Sequence, residues 1–217
     1  MKLNALLFFL VYSTLCFAQS REDIHSLYAI VLNDRLVEFY GPRLDSLHSI
    51  IVIEKSQVNE GDLEFMDELI ADPIKEYMFT YLYSQTGGDT IFIRKFKTDL
   101  KIKEAMDKFR HDNGVNSKIE PQLLKLNRNI TINTVTLEKY HSYFKKGKNI
   151  DKAWRKILKT YSSRSIFELS KITFNQNYAV FYIEHRCGSL CASRDFVVME
   201  NVKGVWQLLT VLNLSMS

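Results

Sequence analysis

The alternation of apolar and polar positions is sharpest near the end of the chain. Tyr178 to Cys187 and Ser193 to Glu200 are rich in aromatic and β-branched residues and are bounded by turn residues, which predicts two strands. A three-residue hairpin loop at Gly188, Ser189 and Leu190 would set Cys187 opposite Cys191 and fix the register of the pair. His185 then faces Ser193, Ile183 faces Asp195 and Phe181 faces Val197. On the other face Glu184 lies across from Arg194, an opposite-charge pair of the kind that contributes about 0.2–1 kcal/mol. A tight turn at Lys203-Gly204 adds a third strand, pairing Val198 with Leu209 and Phe196 with Val211. The expected result is an antiparallel β-meander.

Upstream the pattern is mainly helical. Ser20 followed by Glu22 and Asp23 has the chemistry of a helix start, and an apolar stripe runs from Ile24 through Leu27, Tyr28, Val31, Leu32, Leu36 and Phe39 to Gly41-Pro42. Ser49 to Glu54 is β-branched and continuously apolar, which predicts a strand covered on both faces. Asp62 to Ile70 reads as a short helix and Ile74 to Leu82 as another, closed by the turn Gln85 to Asp89. Thr90 to Phe96 reads as a strand. Asp99 caps a helix through Ile102, Met106 and Phe109 that ends at Asn113-Gly114. Val115 to Asn129, with Pro121, reads as a loop or connection, Ile130 to Val135 as a strand, and Thr136 as the cap of a helix bearing Leu137, Tyr140 and Phe144. A further helix spans Asp151 to Tyr161, with Ile150, Trp154, Ile157, Leu158 and Tyr161 on one stripe.

The predicted class is α+β: N-terminal helices with a few strands, then a C-terminal antiparallel meander packed on helices and backed by the Trp154 helix. By region, 1–18 is a signal peptide, 19–114 an N-terminal α/β region, 115–129 a connection and 130–217 the α+β region that ends in the meander. The first segment places Lys2 before the apolar run Ala5 to Val11 and small residues before a cut after Ala18, the pattern of a secretory signal. A lipoprotein cut at Cys16 is the rival, disfavoured by the bulky Leu15. No later run is apolar enough to span a bilayer, so a periplasmic or secreted location follows.

Composition changes this picture little: 217 residues, 46% hydrophobic and 25% charged, suit one globular domain or two small ones and exclude disorder. Charge matters locally. The outer face of the Trp154 helix carries Lys152, Arg155, Lys156 and Lys159, preceded by Lys145, Lys146 and Lys148. Such a helix can meet anionic membrane surfaces, polyanionic glycans or nucleic acid. The simpler reading is that its stripe docks on the terminal sheet and the lysines are solvated. Nothing has the form of a zinc finger, a ribonucleoprotein motif or an aromatic-interleaved basic stripe, so nucleic acid is not expected as a partner.

With Cys16 removed, only Cys187 and Cys191 remain. Facing each other across a hairpin in an oxidising compartment, they meet the Cα separation of about 4.4–6.8 Å that a disulfide requires. The loop so closed is very short, so the bond adds less than the usual ~2–4 kcal/mol and serves mainly to shape the hairpin tip. His185, Cys187, Cys191, Ser193 and Asp195 share one face in the predicted register, which admits three functional readings. A thiolate with His185 as base and Asp195 as orienter would make a nucleophile set. Two cysteines and His185 would need a fourth ligand to hold zinc, and His25, His48, His111 and His141 have no paired spacing. Thiol exchange usually uses a two-residue spacer at a helix N-terminus, unlike the three-residue spacer here. The leading reading is a structural disulfide with His185 hydrogen-bonded to Ser193 or Asp195. No nucleotide-binding glycine loop, serine-hydrolase elbow or His-Glu-x-x-His motif is present, so no metal or other cofactor is implied.

Leu169 to Asn175, Ala179 to Cys187, the loop Gly188-Ser189-Leu190-Cys191 and the closing Gly204-Val205-Trp206 resemble the C-terminal portion of secreted bacterial proteins of unassigned function. Those proteins share a strand, a CG-x-LC loop, another strand and a G-x-W hairpin, and the likeness covers roughly the last quarter of the chain. Ala192 departs from it, where a second glycine is expected after the second cysteine. The resemblance implies secretion and the hairpin but no catalytic residue. The order of helices before a curved meander is also similar in architecture to the nuclear-transport-factor-like cone fold. Two functions are therefore expected. One is a non-enzymatic extracytoplasmic binding or accessory protein whose tip, Gly188, Ser189 and Leu190, contacts an unidentified protein or small molecule. The alternative is a thiol-dependent enzyme, redox or zinc protein using Cys187 or Cys191 with His185 and Asp195.

Overall fold

The computed structural model describes residues 20–55, 64, 90–112, 118–144 and 149–216. The expected signal peptide, the helices over Asp62 to Ile70 and Ile74 to Leu82, the turn Gln85 to Asp89 and the helix end at Asn113-Gly114 lie outside the described residues.

Helix α1 (Arg21–Tyr40) begins as its sequence demands. Ser20 Oγ accepts from the Asp23 N–H and the Asp23 carboxylate accepts from the Ser20 N–H, each at 3.1 Å, so two N-terminal donors that the helix leaves unpaired are satisfied reciprocally. Gly41, at φ 46°, ends it before a 3-10 turn, Gly41–Ser46. The strand β1 (Ser49–Ile53) is buried at all five positions, because it runs inside a mixed sheet, parallel to both neighbours. Those neighbours are β2 (Thr131–Val135) and β3 (Ile166–Leu169), and β4 (Thr173–Asn175) pairs beside the meander of β5 (Tyr178–Gly188), β6 (Cys191–Val202) and β7 (Val205–Met216). The order is β2-β1-β3-β5-β6-β7, with β4 on β5.

Two layers of helix cover this sheet. On one face α1 packs Leu27, Val31 and Leu32 against Val52, Phe167, Phe181 and Val197. The opposite face has two separate clusters. Helices α2 (Thr90–Thr98) and α3 (Leu100–His111) cover the meander with Phe92, Phe96 and Phe109 on Val180, Phe196 and Leu212. Helices α4 (Leu137–Tyr143) and α5 (Ile150–Tyr161) cover the parallel part with Tyr140, Trp154 and Ile157 on Ile51, Ile53 and Ile166. The α+β class therefore holds, and β1 is covered on both faces as expected.

Four expectations are corrected. Thr90 to Phe96 is helical: Phe92, Ile93 and Phe96 are buried while Ile91 and Arg94 are exposed, a three-to-four-residue period that a short β-rich window disguises. The Trp154 helix docks on β1 and β3, so the meander is backed instead by α2 and α3. At the tip, a bulge between Arg186 and Gly188 sets Gly188, not Cys187, opposite Cys191 and shortens the turn to Ser189 and Leu190. A second irregularity, between Val198 and Met199, moves the far end of β7 by one residue, so Val198 pairs with Thr210 and Phe196 with Leu212. Between these shifts the predicted register holds in full: His185 with Ser193, Ile183 with Asp195, Phe181 with Val197 and Glu184 with Arg194.

The Lys203-Gly204 turn is also as expected, with φ 54° and 86°, the left-handed pair that matches strand twist in a two-residue hairpin. Gly204→Ala should cost about 1 kcal/mol, since only the backbone conformation and no neighbouring atom opposes the new methyl. Urea titration checks this, and a neutral substitution would remove the turn from the determinants of the meander.

Candidate functional site

The chemistry that the sequence brings together converges on the tip of the β5–β6 hairpin. The Cys187 and Cys191 sulfurs lie at bonding distance with Cα atoms 5.2 Å apart, and the turn they clamp carries Leu190 at 86% exposure. Beside the tip lies an open pocket of about 330 Å³, lined by Asp151, Trp154, Arg155, Arg164, Gly188 and Ser189.

His185 is placed on the α1 face, as the register predicts, but is wholly internal. Its ring is stacked between Phe39 (centroids 4.3 Å apart) and Phe167 (4.6 Å), and its Nε2 meets Ser165 Oγ at 3.0 Å. The expected hydrogen bond to Ser193 or Asp195 is not formed. Ser165 immediately precedes β3, and the β3–β5 pairing brings it to the edge of the ring, a contact that no local pattern around His185 announces. Burial pushes the imidazole down to about 4, so at neutral pH it is uncharged.

Asp195 is buried on the same face, accepting from Asn213 Nδ2 at 2.7 Å and from Ser193 Oγ at 3.2 Å. Burial raises its carboxyl above the usual range, opposed by the Asn213 bond and by the Arg35 charge. Each of the four residues of the thiol reading has a partner other than the one that reading requires. The sulfurs meet each other, His185 meets Ser165, and Asp195 meets Asn213 and Ser193. His185 bonds neither a sulfur nor Asp195, so the hydrogen bonds that would link nucleophile, base and orienter are not formed in this structure.

A second constellation was missed by sequence reading. On the opposite face, in the seam between the two helix clusters, β3 places Glu168 directly across from Glu184 of β5. Like charges in direct opposition are unfavourable. Arg186 relieves the conflict: its Nε donates to Glu184 Oε1 at 2.6 Å, a guanidinium nitrogen lies 3.4 Å from Glu168 Oε2, and the same nitrogen donates to Tyr140 Oη at 2.9 Å. Arg194 Nε lies 3.4 Å from Glu184 Oε1, and Tyr182 Oη donates to Glu184 Oε2 at 3.2 Å. The Glu184 and Glu168 side chains are only 7% and 12% exposed, so this is a buried network and not the surface pair that Glu184 and Arg194 alone suggested.

One arginine shared by two carboxylates leaves Glu168 under-compensated. Burial pushes its carboxyl up to about 7, with Arg186 and Arg194 opposing and Glu184 adding to the rise. Burial works against the Arg186 charge, but Tyr140, Glu184 and Glu168 more than restore it, and the guanidinium stays protonated. The alternation Glu184, Arg186 was a visible signal. What sequence could not show was Glu168, sixteen positions before Glu184.

A pocket of about 600 Å³ opens between α1 and the segment before β2. Its histidine is committed to structure. His25 Nδ1 donates to the Arg21 carbonyl at 2.7 Å and Nε2 accepts from the Glu120 N–H at 2.9 Å, which defines one neutral tautomer. Among the described residues no group of three or more His, Cys, Asp or Glu side chains is placed to hold a metal ion. No described helix is long and apolar enough to cross a membrane. Comparison with protein-family models, with curated proteins and with solved structures finds no match for this chain.

Proposed function

We propose that the protein works outside the cytoplasm as a non-enzymatic binding or accessory protein that presents the clamped tip Gly188-Ser189-Leu190 to a partner. The observation that carries this reading is Leu190, 86% exposed on a two-residue turn whose flanks are joined by Cys187 and Cys191. An apolar side chain held out by a covalent clamp enters an interface with little ordering cost, which is how a preorganised loop gains affinity. The internal partners of His185 and Asp195 support the same reading over a thiol enzyme. The leader-like first 18 residues support an oxidising compartment, in which such a cysteine pair persists.

The test is the intact mass of the mature protein, alkylated with and without prior reduction. The expected result is a chain beginning at Gln19 in which both thiols react only after reduction. Thiols that alkylate in the native protein, with a depressed pKa, would transfer the case to the thiol-dependent alternative with Cys187 or Cys191 as nucleophile.

A further inference from the structure

The tip does not stand alone. Lys152, Arg155, Lys156 and Lys159 fall at i, i+3, i+4 and i+7 of α5, one face of the helix, and all four are exposed. Arg164, on the segment leading to β3, is exposed too, and with Arg155 it lines the pocket that Gly188 and Ser189 complete. None of these five cations forms an ion pair with a described carboxylate, and Asp151, at the N-terminal end of α5, is the one acidic residue lining the pocket. Trp154, nearly buried, supplies apolar lining, while Leu190, at 86% exposure, adds apolar surface at the tip that Gly188 and Ser189 bring to the pocket.

We infer that this face docks on an anionic lipid surface, with a lipid phosphate between Arg155 and Arg164 and Leu190 entering the interfacial layer; the inference rests on the reading of the tip as a contact surface. The charge is complementary and spread along two helical turns, about 10 Å, so several headgroups are met at once. Lysine and arginine stems keep their charges at headgroup level while apolar groups descend below it. A lipid boundary offers anionic headgroups to the cations and an apolar layer to the projecting leucine at one surface.

The experiment is co-sedimentation of the full mature protein with vesicles of phosphatidylcholine alone or mixed with phosphatidylglycerol, at low and high salt. Binding is expected only with phosphatidylglycerol and is expected to weaken with salt. Arg155→Gln with Arg164→Gln should weaken it about 25-fold, roughly 5-fold per charge. Leu190→Ser should weaken it about 10-fold. All three positions are exposed, so unchanged circular dichroism and Tm should accompany these losses. Absence of binding at low salt overturns the inference, as does binding indifferent to the two arginines or retention of soluble polyphosphate without vesicles. Arginine-dependent vesicle binding that ignores Leu190→Ser upholds the phosphate contact of the two arginines, overturns the insertion of Leu190 and removes the tip from the proposed function.

Discussion

Arg186→Ala is expected to destabilise the fold by about 3–5 kcal/mol, the usual range when one member of a buried charge network is removed. The loss comes from what remains. Glu184 and Glu168 would face each other across β3 and β5 with their shared cation gone, and Tyr140 would lose its donor. Arg194 cannot substitute, since it is 3.4 Å from Glu184 and its side chain is 38% exposed. Adding Glu168→Gln to the variant removes one of the two opposed charges, so the double variant should be more stable than the two separate effects predict. Coupling energies of about 0.5–3 kcal/mol are typical for residues in one network. Urea denaturation of the four proteins in the cycle decides the matter. A single-variant loss below about 1 kcal/mol would mean that water already screens the seam.

The second large effect is a pH dependence hidden by compensation. Glu168 titrates at about 7 in the fold, against an ordinary value of 4.5, so the folded state holds a proton that the unfolded chain releases. Its contribution is fully present below pH 4.5 and is lost as pH rises through 7. His185 has the opposite sign: its folded value of about 4 lies below the ordinary 6.5, so its contribution is present above pH 6.5 and is lost as pH falls through 4. Each change amounts to about 3 kcal/mol. Between pH 4.5 and 6.5 the two nearly cancel, with Asp195, also raised by burial, reinforcing Glu168.

Single substitutions should expose each half. Glu168→Gln should gain up to about 3 kcal/mol over the parent at pH 8 and nothing at pH 4, leaving stability that rises from pH 4 to 6.5. His185→Phe keeps the aromatic stack but loses the titration, so its stability should fall as pH rises from 4.5 to 7. Thermal unfolding across pH 4 to 8 gives the three curves. Parallel curves would show that neither group changes its proton affinity on folding.

Much of this molecule was determined locally. The β5–β6 register followed from alternation and a nearby turn, which is why His185 with Ser193 and Glu184 with Arg194 were placed correctly. The N-cap of α1 needed only Ser20 and Asp23, three residues apart, and the burial of β1 needed only its own apolarity. Legibility ended at the bulges, because one inserted residue near Cys187 or Leu209 changes a register without changing composition. It ended also at Thr90–Thr98, where nine residues do not separate a strand from a helix until a neighbour claims Phe92 and Phe96.

Tertiary structure alone decided the chemistry of the candidate sites. Ser165 became the partner of His185, Glu168 the neighbour of Glu184, and Arg164 the companion of Arg155 at the tip. Periodicity, caps and turns are properties of adjacent residues, so the sequence by itself determines the long helices and the strands that short turns join, but neither the short Thr90–Thr98 helix nor the bulges. Which strand lies beside β5, and which helix covers which end of the sheet, is settled by the burial free energy of the whole chain. That choice brought two glutamates together in a place where a shared arginine, the Arg194 and Tyr182 contacts of Glu184, and a retained proton on Glu168 make their burial tolerable.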